Sequence, residues 1–213
     1  EEVIKAAIMM RDEHCGVPII VGRHSKIDPI VEALGEGYSL ENVTVMNAAI
    51  NKNVSKYIDY LYNKLQRKGY LYRDCARLVK SDRNIFAACM IACGDADAMV
   101  TGLTKSYYDS IDDISKVIVP KKDKRIMGYS IMLSKEHNII FADNTVCELP
   151  QTQDLVEITL QTAEIAKSMG YKPRIAIVSF SNFGNPLREK SLRVRDAITI
   201  LDKMNLDFEY DGE

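Results

Sequence analysis

The sequence predicts an α/β fold in which strands and helices alternate along the chain. Short apolar runs that end at a glycine or a serine, such as V-P-I-I-V-G at 17–22 and R-I-A-I-V-S at 174–179, are typical of buried strands. Between such runs lie longer segments whose apolar residues recur every three or four positions, which is the spacing of amphipathic helices. Strand–helix–strand units favour a largely parallel sheet with helices on both faces, so we expect a three-layer α/β/α arrangement.

The first half of the chain shows both patterns in alternation and then becomes richer in helices. N-V-T-V-M-N at 42–47 alternates like a strand, the apolar residues from Val54 to Leu65 have helical spacing, and Asp82 is placed to cap a later helix. In chain order we predict helix Val3–Arg11, strand 17–22, helix Ile27–Leu34, strand Asn42–Asn47, helices Val54–Arg67, Arg73–Val79 and Ile85–Ala92, strand Ala98–Thr101 and helix Tyr108–Val117.

The second half of the chain begins after a charged segment. V-P-K-K-D-K-R-I at 119–126 combines a proline with five charges, which indicates a solvated loop between two subdomains, 1–118 and 119–213; a basic ligand patch is the alternative. The polar S-K-E-H-N separates two β-like runs, as in a hairpin or two neighbouring strands. We predict strands Met127–Leu133 and Ile139–Ala142, helix 152–169, strand 174–179, helix 189–204 and strand 206–210.

Composition argues against nucleic-acid and membrane partners. The 28 basic residues are balanced by 30 acidic ones, so the net charge of -2 offers no general attraction to a phosphate backbone or an anionic bilayer. The apolar runs are far shorter than the roughly 20 residues that cross a membrane. The first residues, E-E-V-I-K-A-A-I-M-M, lack the basic start of an export signal, so we expect a cytoplasmic protein.

The five cysteines are odd in number and scattered, as reduced thiols usually are, and we expect no disulfides. Cys89 and Cys93 have the i,i+4 spacing that could share a metal ion. The three histidines show no ligand spacing relative to them, however, so we expect buried thiols and no metal site.

Three predicted strand ends carry small polar residues that could hold a ligand: V-T-G at 100–102, F-A-D-N-T-V at 141–146 and V-S-F-S-N-F-G-N-P at 178–186. In parallel sheets, ligands gather beyond the carboxyl ends of the strands. Glycine allows backbone N–H groups to approach an anion, and hydroxyl and amide side chains add donors without charge, which suits phosphate or coenzyme A. The alternative is that these are ordinary loop and helix-capping residues.

Common catalytic motifs are absent from the sequence. It contains no G-x-G-x-x-G, G-x-x-x-x-G-K-[ST], H-E-x-x-H or G-x-S-x-G, and no histidine lies in a loop signature of a Ser-His-Asp triad. The usual nucleotide-binding, zinc-protease and hydrolase readings are therefore not supported.

Several segments together resemble a known family. F-A-A-C-M-I-A-C-G-D-A-D-A-M-V-T-G at 86–102 resembles the G-x-A-D-A-x-V-S/T-G signature of phosphate acetyl- and butyryltransferases. F-A-D-N-T-V at 141–146, L-V-E-I-T-L-Q-T-A-E at 155–164 and D-G-E at 211–213 resemble further segments of that family. S-N-F-G at 181–184, Y-R-D-C-A-R-L-V at 72–79 and L-D-F-E-Y-D-G-E at 206–213 look like the branch fused to bacterial NADP-dependent malic enzymes. The resemblance covers nearly the whole chain.

This resemblance implies a fold similar to that of isocitrate and isopropylmalate dehydrogenases. It also implies an acyl-CoA-binding domain that promotes homo-oligomerisation and lets acetyl-CoA modulate an NADP-linked decarboxylase lying upstream, where NADP and a divalent metal would bind. The implied ligand-cleft residues are Thr101, Gly102, Asp143, Thr145, Ser179, Ser181, Asn182 and Gly184.

Two departures from the family pattern bear on catalysis. Stand-alone transferases carry an arginine in the helix after S-G, where this chain has Asp112. The family's S-R-G segment for acyl transfer is expected downstream of D-G-E, and the family's first strand before Glu1, so we expect the catalytic groups to be incomplete here. We therefore expect a regulatory domain, with an active phosphate acetyltransferase and a ligand-free dimerisation domain as alternatives.

Overall fold

The computed structural model describes residues 1–122, 124–182 and 185–212. The chain divides into two compact units, Glu1–Val119 (unit 1) and Pro120–Glu213 (unit 2), and each is described by itself. Within the described ranges, no helix is both long enough and apolar enough to cross a membrane.

Unit 1 is mainly helical, with one small parallel sheet. Its elements are α1 (Glu2–Asp12), β1 (Ile19–Val21), α2 (His24–Leu34), β2 (Thr44–Met46), α3 (Val54–Leu65), a short 3-10 helix (Gln66–Lys68), α4 (Tyr72–Ser81), α5 (Arg83–Ala92) and α6 (Tyr107–Val117). Strands β1 and β2 pair in parallel with Ile19 opposite Thr44, and α2 is the crossover between them. The predicted helices of this unit are confirmed to within a few residues.

The core of unit 1 lies on both faces of the β1–β2 sheet. Ile19, Val21 and Met46 pack against a large cluster formed by α3, α4 and α5, whereas Ile20 and Val45 pack against a smaller cluster from α1 and α2. Because successive strand residues point to opposite faces, the apolar residues of each strand serve both clusters. Helices therefore cover this small sheet from both sides.

The large cluster follows from the sequence pattern of α3. Its residues Val54, Tyr57, Ile58, Leu61 and Leu65 are all buried, as their three-and-four spacing predicts. The ring of Tyr57 meets that of Phe86 on α5 edge-on, with 5.2 Å between the centroids. These fully buried side chains bring α3 and α5 together.

Unit 2 contains a hairpin, two long helices and a second parallel strand pair. Its elements are β3 (Tyr129–Leu133), β4 (Asn138–Ala142), α7 (Thr152–Ser168), β5 (Arg174–Ile177), α8 (Glu189–Leu201), a 3-10 helix (Asp202–Met204) and β6 (Glu209–Gly212). Strands β3 and β4 are antiparallel, and β5 and β6 are parallel with α8 between them in the chain. Val156, Ala197 and Leu201 form the buried contact between α7 and α8.

Three predictions about strands were wrong in detail. Ala98–Thr101 is not a strand: the side chain of Val100 is fully exposed, and within the described ranges no strand pairs with this segment. The strand predicted at 206–210 lies at Glu209–Gly212, where it can pair in register with Arg174–Ile177. The described residues form three two-stranded sheets rather than one largely parallel sheet.

Candidate functional site

The predicted ligand residues fall into both units of the chain. Thr101 and Gly102 belong to unit 1, and Asp143, Thr145, Ser179, Ser181 and Asn182 belong to unit 2. Gly184 lies outside the described residues. Within unit 2 the structure brings Asp143 into contact with Thr145, and Ser179 into contact with Ser181.

In unit 1, Thr101 lies in the loop between α5 and α6. Its hydroxyl donates to Oδ1 of Asn84, which is buried on α5, over 2.6 Å. Gly102 follows with a φ of +121°, a conformation that side chains with a Cβ rarely adopt. The turn needs glycine at 102, and the contact with Asn84 fixes the Thr101 hydroxyl at the start of that turn.

A lysine ties the other end of this loop to both neighbouring helices. Nζ of Lys105 donates to Asp113 Oδ2 on α6 at 2.5 Å and to Asp82 Oδ2 at 2.6 Å. Asp113 also accepts a longer bond of 3.4 Å from the amide of Asn84. These hydrogen bonds to Asp113, and then to Asp82, raise the pKa of Lys105 above its ordinary value. Asn84, Lys105, Asp113 and Asp82 form one connected group, called the α5–α6 network below.

Asp82 has a second role in the α5–α6 network. As the N-cap of α5, predicted from the sequence, its Oδ1 accepts from the backbone N–H of Asn84 at 2.8 Å and of Ile85 at 3.1 Å. Burial works to raise the pKa of Asp82, but the bonds from Lys105 and from the helix N–H groups outweigh it and leave the pKa below its ordinary range. The carboxylate is therefore charged and links the loop to the start of α5.

The sequence reasoning did not select Asn84, Lys105 or Asp113. The sequence did carry one signal for Asn84: this polar amide directly precedes the apolar segment I-F-A-A-C-M-I-A of the predicted buried helix. A buried amide needs hydrogen-bond partners, so its neighbours could have been expected to be polar. No comparable local signal marks Lys105 or Asp113. Their contacts join residues 8 and 23 positions apart, which only the packing of the helices reveals.

Asp112, which the resemblance sets at the family's arginine position, lies on α6 next to Asp113 of the α5–α6 network. Its side chain is largely exposed and forms an ion pair with Lys116 over 2.6 Å, one helical turn further along α6. An exposed carboxylate here would repel phosphate rather than bind it. The side chain at position 112 is therefore an anion rather than a cation, and its partner Lys116 also lies 3.4 Å from Oδ1 of Asp113.

In unit 2, Asp143 builds the turn that follows β4. Its carboxylate accepts four backbone N–H bonds: Oδ1 from Gly128 at 2.9 Å, Thr145 at 3.2 Å and Val146 at 3.1 Å, and Oδ2 from Cys147 at 2.8 Å. Burial opposes ionisation, yet these donors prevail and lower the pKa of Asp143. The carboxylate is engaged by the turn itself, so its role is to shape the loop.

The side chain of Thr145 lies on the solvent-exposed side of the same turn. Thr145 is exposed, and its Oγ1 donates to Oδ1 of Asn144 over 3.1 Å, while Asn144 in turn donates to Ser130 on β3 over 2.5 Å. A Cβ at Gly128 would collide with Oγ1 of Thr145, so the close approach of the two segments depends on glycine. Asn144 and Thr145 present uncharged polar groups on a well-supported turn.

The third predicted segment follows the carboxyl end of β5. Oγ of Ser179 and Oγ of Ser181 lie 2.7 Å apart, and the N–H of Ser181 donates to the Ser179 hydroxyl at 3.1 Å. The backbones of Asn182 and Asn185 exchange hydrogen bonds of 3.0 and 3.2 Å. Phe180, between the two serines, is more than half exposed. The segment is a hydroxyl-rich loop at the edge where ligands of α/β sheets gather.

The described residues of the three segments form neither a metal site nor a cluster of charges. Within the described ranges, no group of three His, Cys, Asp or Glu side chains is placed to hold a metal ion. Two open grooves of about 1030 and 470 Å³ in unit 1 are lined by other residues, among them Arg11 and Thr44 in the larger and Lys68 and Arg77 in the smaller. The described members of the predicted set present hydroxyl and amide groups to a polar ligand, but none of them is a histidine that could serve a serine nucleophile as its base.

The chain is similar in sequence and in structure to malic enzymes and phosphate acetyltransferases. The chain is 57% identical over 223 residues to "Probable NADP-dependent malic enzyme" of Rickettsia prowazekii, covering 100% of this chain and 29% of that protein. It is 27% identical over 214 residues to the phosphate acetyltransferase of Bacillus subtilis, covering 100% of this chain and 65% of that protein. A phosphotransacetylase structure from Streptococcus pyogenes superimposes with a TM-score of 0.87 at 28% identity, over 99% of this chain and 64% of that one.

The chain thus spans less than a third of the malic enzyme relative and about two thirds of the transferases. The resemblance inferred from the G-D-A-D-A-M-V-T-G segment is confirmed along the full sequence, since residues 1–213 match the model of the family described as "Phosphate acetyl/butaryl transferase". The chain belongs to the phosphate acetyl/butaryl transferase family.

Proposed function

We propose that this chain is the phosphate acetyltransferase-like domain of an NADP-dependent malic enzyme, in which it binds acyl-CoA as a regulatory and oligomerisation domain. The observation that carries the proposal is the Asp112–Lys116 ion pair, which lies where the resemblance leads us to expect the family's arginine. A site that has lost this cation can still hold a CoA thioester by hydrogen bonds, but it is poorly suited to stabilise phosphate in acyl transfer. The identity of 57% to the malic enzyme relative supports the same assignment.

The proposed ligand is acetyl-CoA or a related acyl-CoA. Each unit by itself presents hydroxyl oxygens on turns that are fixed by hydrogen bonds: Thr101 in unit 1, and Thr145 and Ser181 in unit 2. Hydroxyl oxygens of this kind can accept from the amide N–H groups of coenzyme A, and backbone N–H groups of such loops suit its pyrophosphate. The division into subdomains 1–118 and 119–213, in an arrangement like that of isocitrate and isopropylmalate dehydrogenases, is part of this proposal.

In the proposed full-length enzyme, NADP and a divalent metal serve the oxidative decarboxylation of malate to pyruvate. We assign their sites to the part of the enzyme upstream of this chain. The chain itself has no dinucleotide-binding motif, and its described residues form no cluster of metal ligands. We place the enzyme in the cytoplasm, consistent with five free thiols.

A second candidate is an active phosphate acetyltransferase, which converts acetyl-CoA and phosphate into acetyl phosphate and free CoA. The TM-score of 0.87 to the Streptococcus pyogenes phosphotransacetylase favours it, because the scaffold is preserved. Shared folds host different activities, however, and the residues at the site decide between them.

Calorimetry with acetyl-CoA, together with an assay for acetyl phosphate on the same full-length preparation, separates these candidates. Binding without turnover supports the regulatory domain, and turnover at about 1 per second or faster would establish the transferase instead. Absence of binding would contradict both. Thr101→Val should weaken binding because it removes the hydroxyl that Asn84 orients, whereas Thr104→Val, an exposed change in the same loop, is the matched control.

A further inference from the structure

The face that α6 buries inside unit 1 is mostly polar. The structure describes all of α6, and its buried residues are Ser110, Asp113 and Val117, whose spacing places them on one face of the helix. Asp113 contacts Asn84 and Lys105, so Ser110 lies on the side of α6 that faces the α5–α6 network. Because a helix on a protein surface usually buries an apolar face, the polar one of α6 needs an explanation.

The hydroxyl of Ser110 is buried without a hydrogen-bond partner. Ser110 is only 6% exposed, and its Oγ forms no hydrogen bond with any described residue. The other buried serine and threonine of the described ranges are satisfied: Thr159 donates to the carbonyl of Leu155 at 2.8 Å, and Ser191 to that of Pro186 at 3.1 Å. Buried hydroxyls nearly always have a partner, so the exception at Ser110 indicates a second arrangement in which it is paired.

The amide oxygen of Asn84 is an acceptor on this side of α6 that can change its donor. It now accepts from the hydroxyl of Thr101 at 2.6 Å, while Nδ2 of the same amide donates to Asp113 at 3.4 Å. Ser110 lies one helical turn from Asp113, towards the end of α6 that follows the Thr101 loop. Since the Cβ atoms of residues three apart on a helix are about 5–6 Å apart, a small shift of α6 brings the Ser110 hydroxyl to Asn84.

Thr101 is the member of this set that a ligand can reach, because it is exposed whereas Asn84 and Ser110 are buried. When a carbonyl or phosphate oxygen of a ligand accepts from the Thr101 hydroxyl, the Asn84 oxygen loses its donor. We propose that Ser110 then donates to Asn84, so that acyl-CoA binding at Thr101 draws α6 towards α5. This inference rests on the proposed function, and it names Ser110 as a positioning residue and α6 as the element that responds to the ligand.

Hydrogen exchange of the α6 amides in the full-length protein tests the change of donor without any ligand. Ser110→Ala removes an unpaired buried hydroxyl and should slow this exchange at least about twofold. In a Thr101→Val background the Asn84 oxygen is already free to accept from Ser110, so the same Ser110→Ala change should speed the exchange instead. Ser115→Ala, at a partly buried serine of α6, is the matched control for the helix propensity of alanine and should act alike in both backgrounds. An effect of Ser110→Ala that has the same sign in both backgrounds would overturn the inference.

Calorimetry with acetyl-CoA on the same preparation tests the link to the ligand. We expect Ser110→Ala to raise the Kd for acetyl-CoA at least about fivefold, because the bound state then leaves the Asn84 oxygen unpaired. An unchanged Kd would overturn the inference and leave the proposed function standing. Absence of binding by the wild-type protein would contradict the proposed function, whereas the exchange measurement would still decide whether Ser110 and Thr101 alternate at Asn84. If circular dichroism shows that a variant with Ser110→Ala is unfolded, Ser110→Cys, a weak donor of similar size, replaces it in both measurements with the same expected signs.

Discussion

Replacing Lys105 with methionine tests whether the α5–α6 network holds the Thr101 loop. The change removes the cation shared by Asp82 and Asp113, whose side chains are only 21% and 13% exposed. Each hydrogen bond to a charged group contributes about 1.5–3 kcal/mol. Because Lys105 itself is partly exposed to solvent, we expect a combined loss of about 2 kcal/mol. In a chain of this length that corresponds to a fall in Tm of roughly 4–8 °C.

Thermal unfolding followed by circular dichroism measures this loss, with Lys5→Met as the control in the same unit. Lys5 forms a similarly short ion pair of 2.7 Å, but its partner Glu1 is 58% exposed, so the control should lower the Tm much less than Lys105→Met does. Lys105→Arg keeps the charge and should recover most of the stability. The reasoning fails if Lys105→Met lowers the Tm no more than Lys5→Met does.

Two further predictions concern unit 2 and the thiols. Asp143→Ala removes the acceptor of four N–H bonds and should cost about 2–3 kcal/mol near pH 7. Because the folded-state pKa of Asp143 is lowered, this contribution is complete above about pH 5 and is lost as the pH falls through about 4 towards that lower pKa. Urea unfolding near pH 3 should therefore show a smaller difference in unfolding free energy between the wild-type protein and Asp143→Ala. An equal difference at both pH values would contradict this account. Burial raises the pKa of Cys89 to about 12, whereas Cys15 is exposed. A thiol label near pH 8 should therefore modify Cys15 in the native protein and Cys89 only after denaturation, as peptide mass spectrometry would show; rapid native labelling of Cys89 would refute this.

Local pattern was enough to predict most of the helices and the hairpin. The three-and-four spacing from Val54 to Leu65 identified α3, and the apolar runs around S-K-E-H-N identified β3 and β4. These signals are local because the helix and strand periods repeat within a few residues. The capping role of Asp82 was predictable for the same reason, since a cap contacts N–H groups two or three positions away.

Strand pairing was less predictable because it joins distant segments. Ala98–Thr101 has the composition of a strand, but a strand exists only where a neighbour hydrogen-bonds to it, and this segment instead runs as a loop with Val100 in solvent. Elsewhere the predicted strands overlap the observed ones, although β6 begins three residues later than predicted. The apolar runs did not predict that the strands of the described ranges would form three separate two-stranded sheets.

For the candidate site, the sequence by itself determined the family and the three polar segments, because those depend on residue types in short strings. Only the tertiary structure decided what each side chain does: the Asp143 carboxylate is taken up by its own turn, and Asn84, 17 positions from Thr101, orients the Thr101 hydroxyl. It also revealed Lys105 as the link between α5 and α6. The physical reason is that a hydrogen bond is set by the distance between two atoms, and for residues far apart in the chain that distance depends on how whole helices pack.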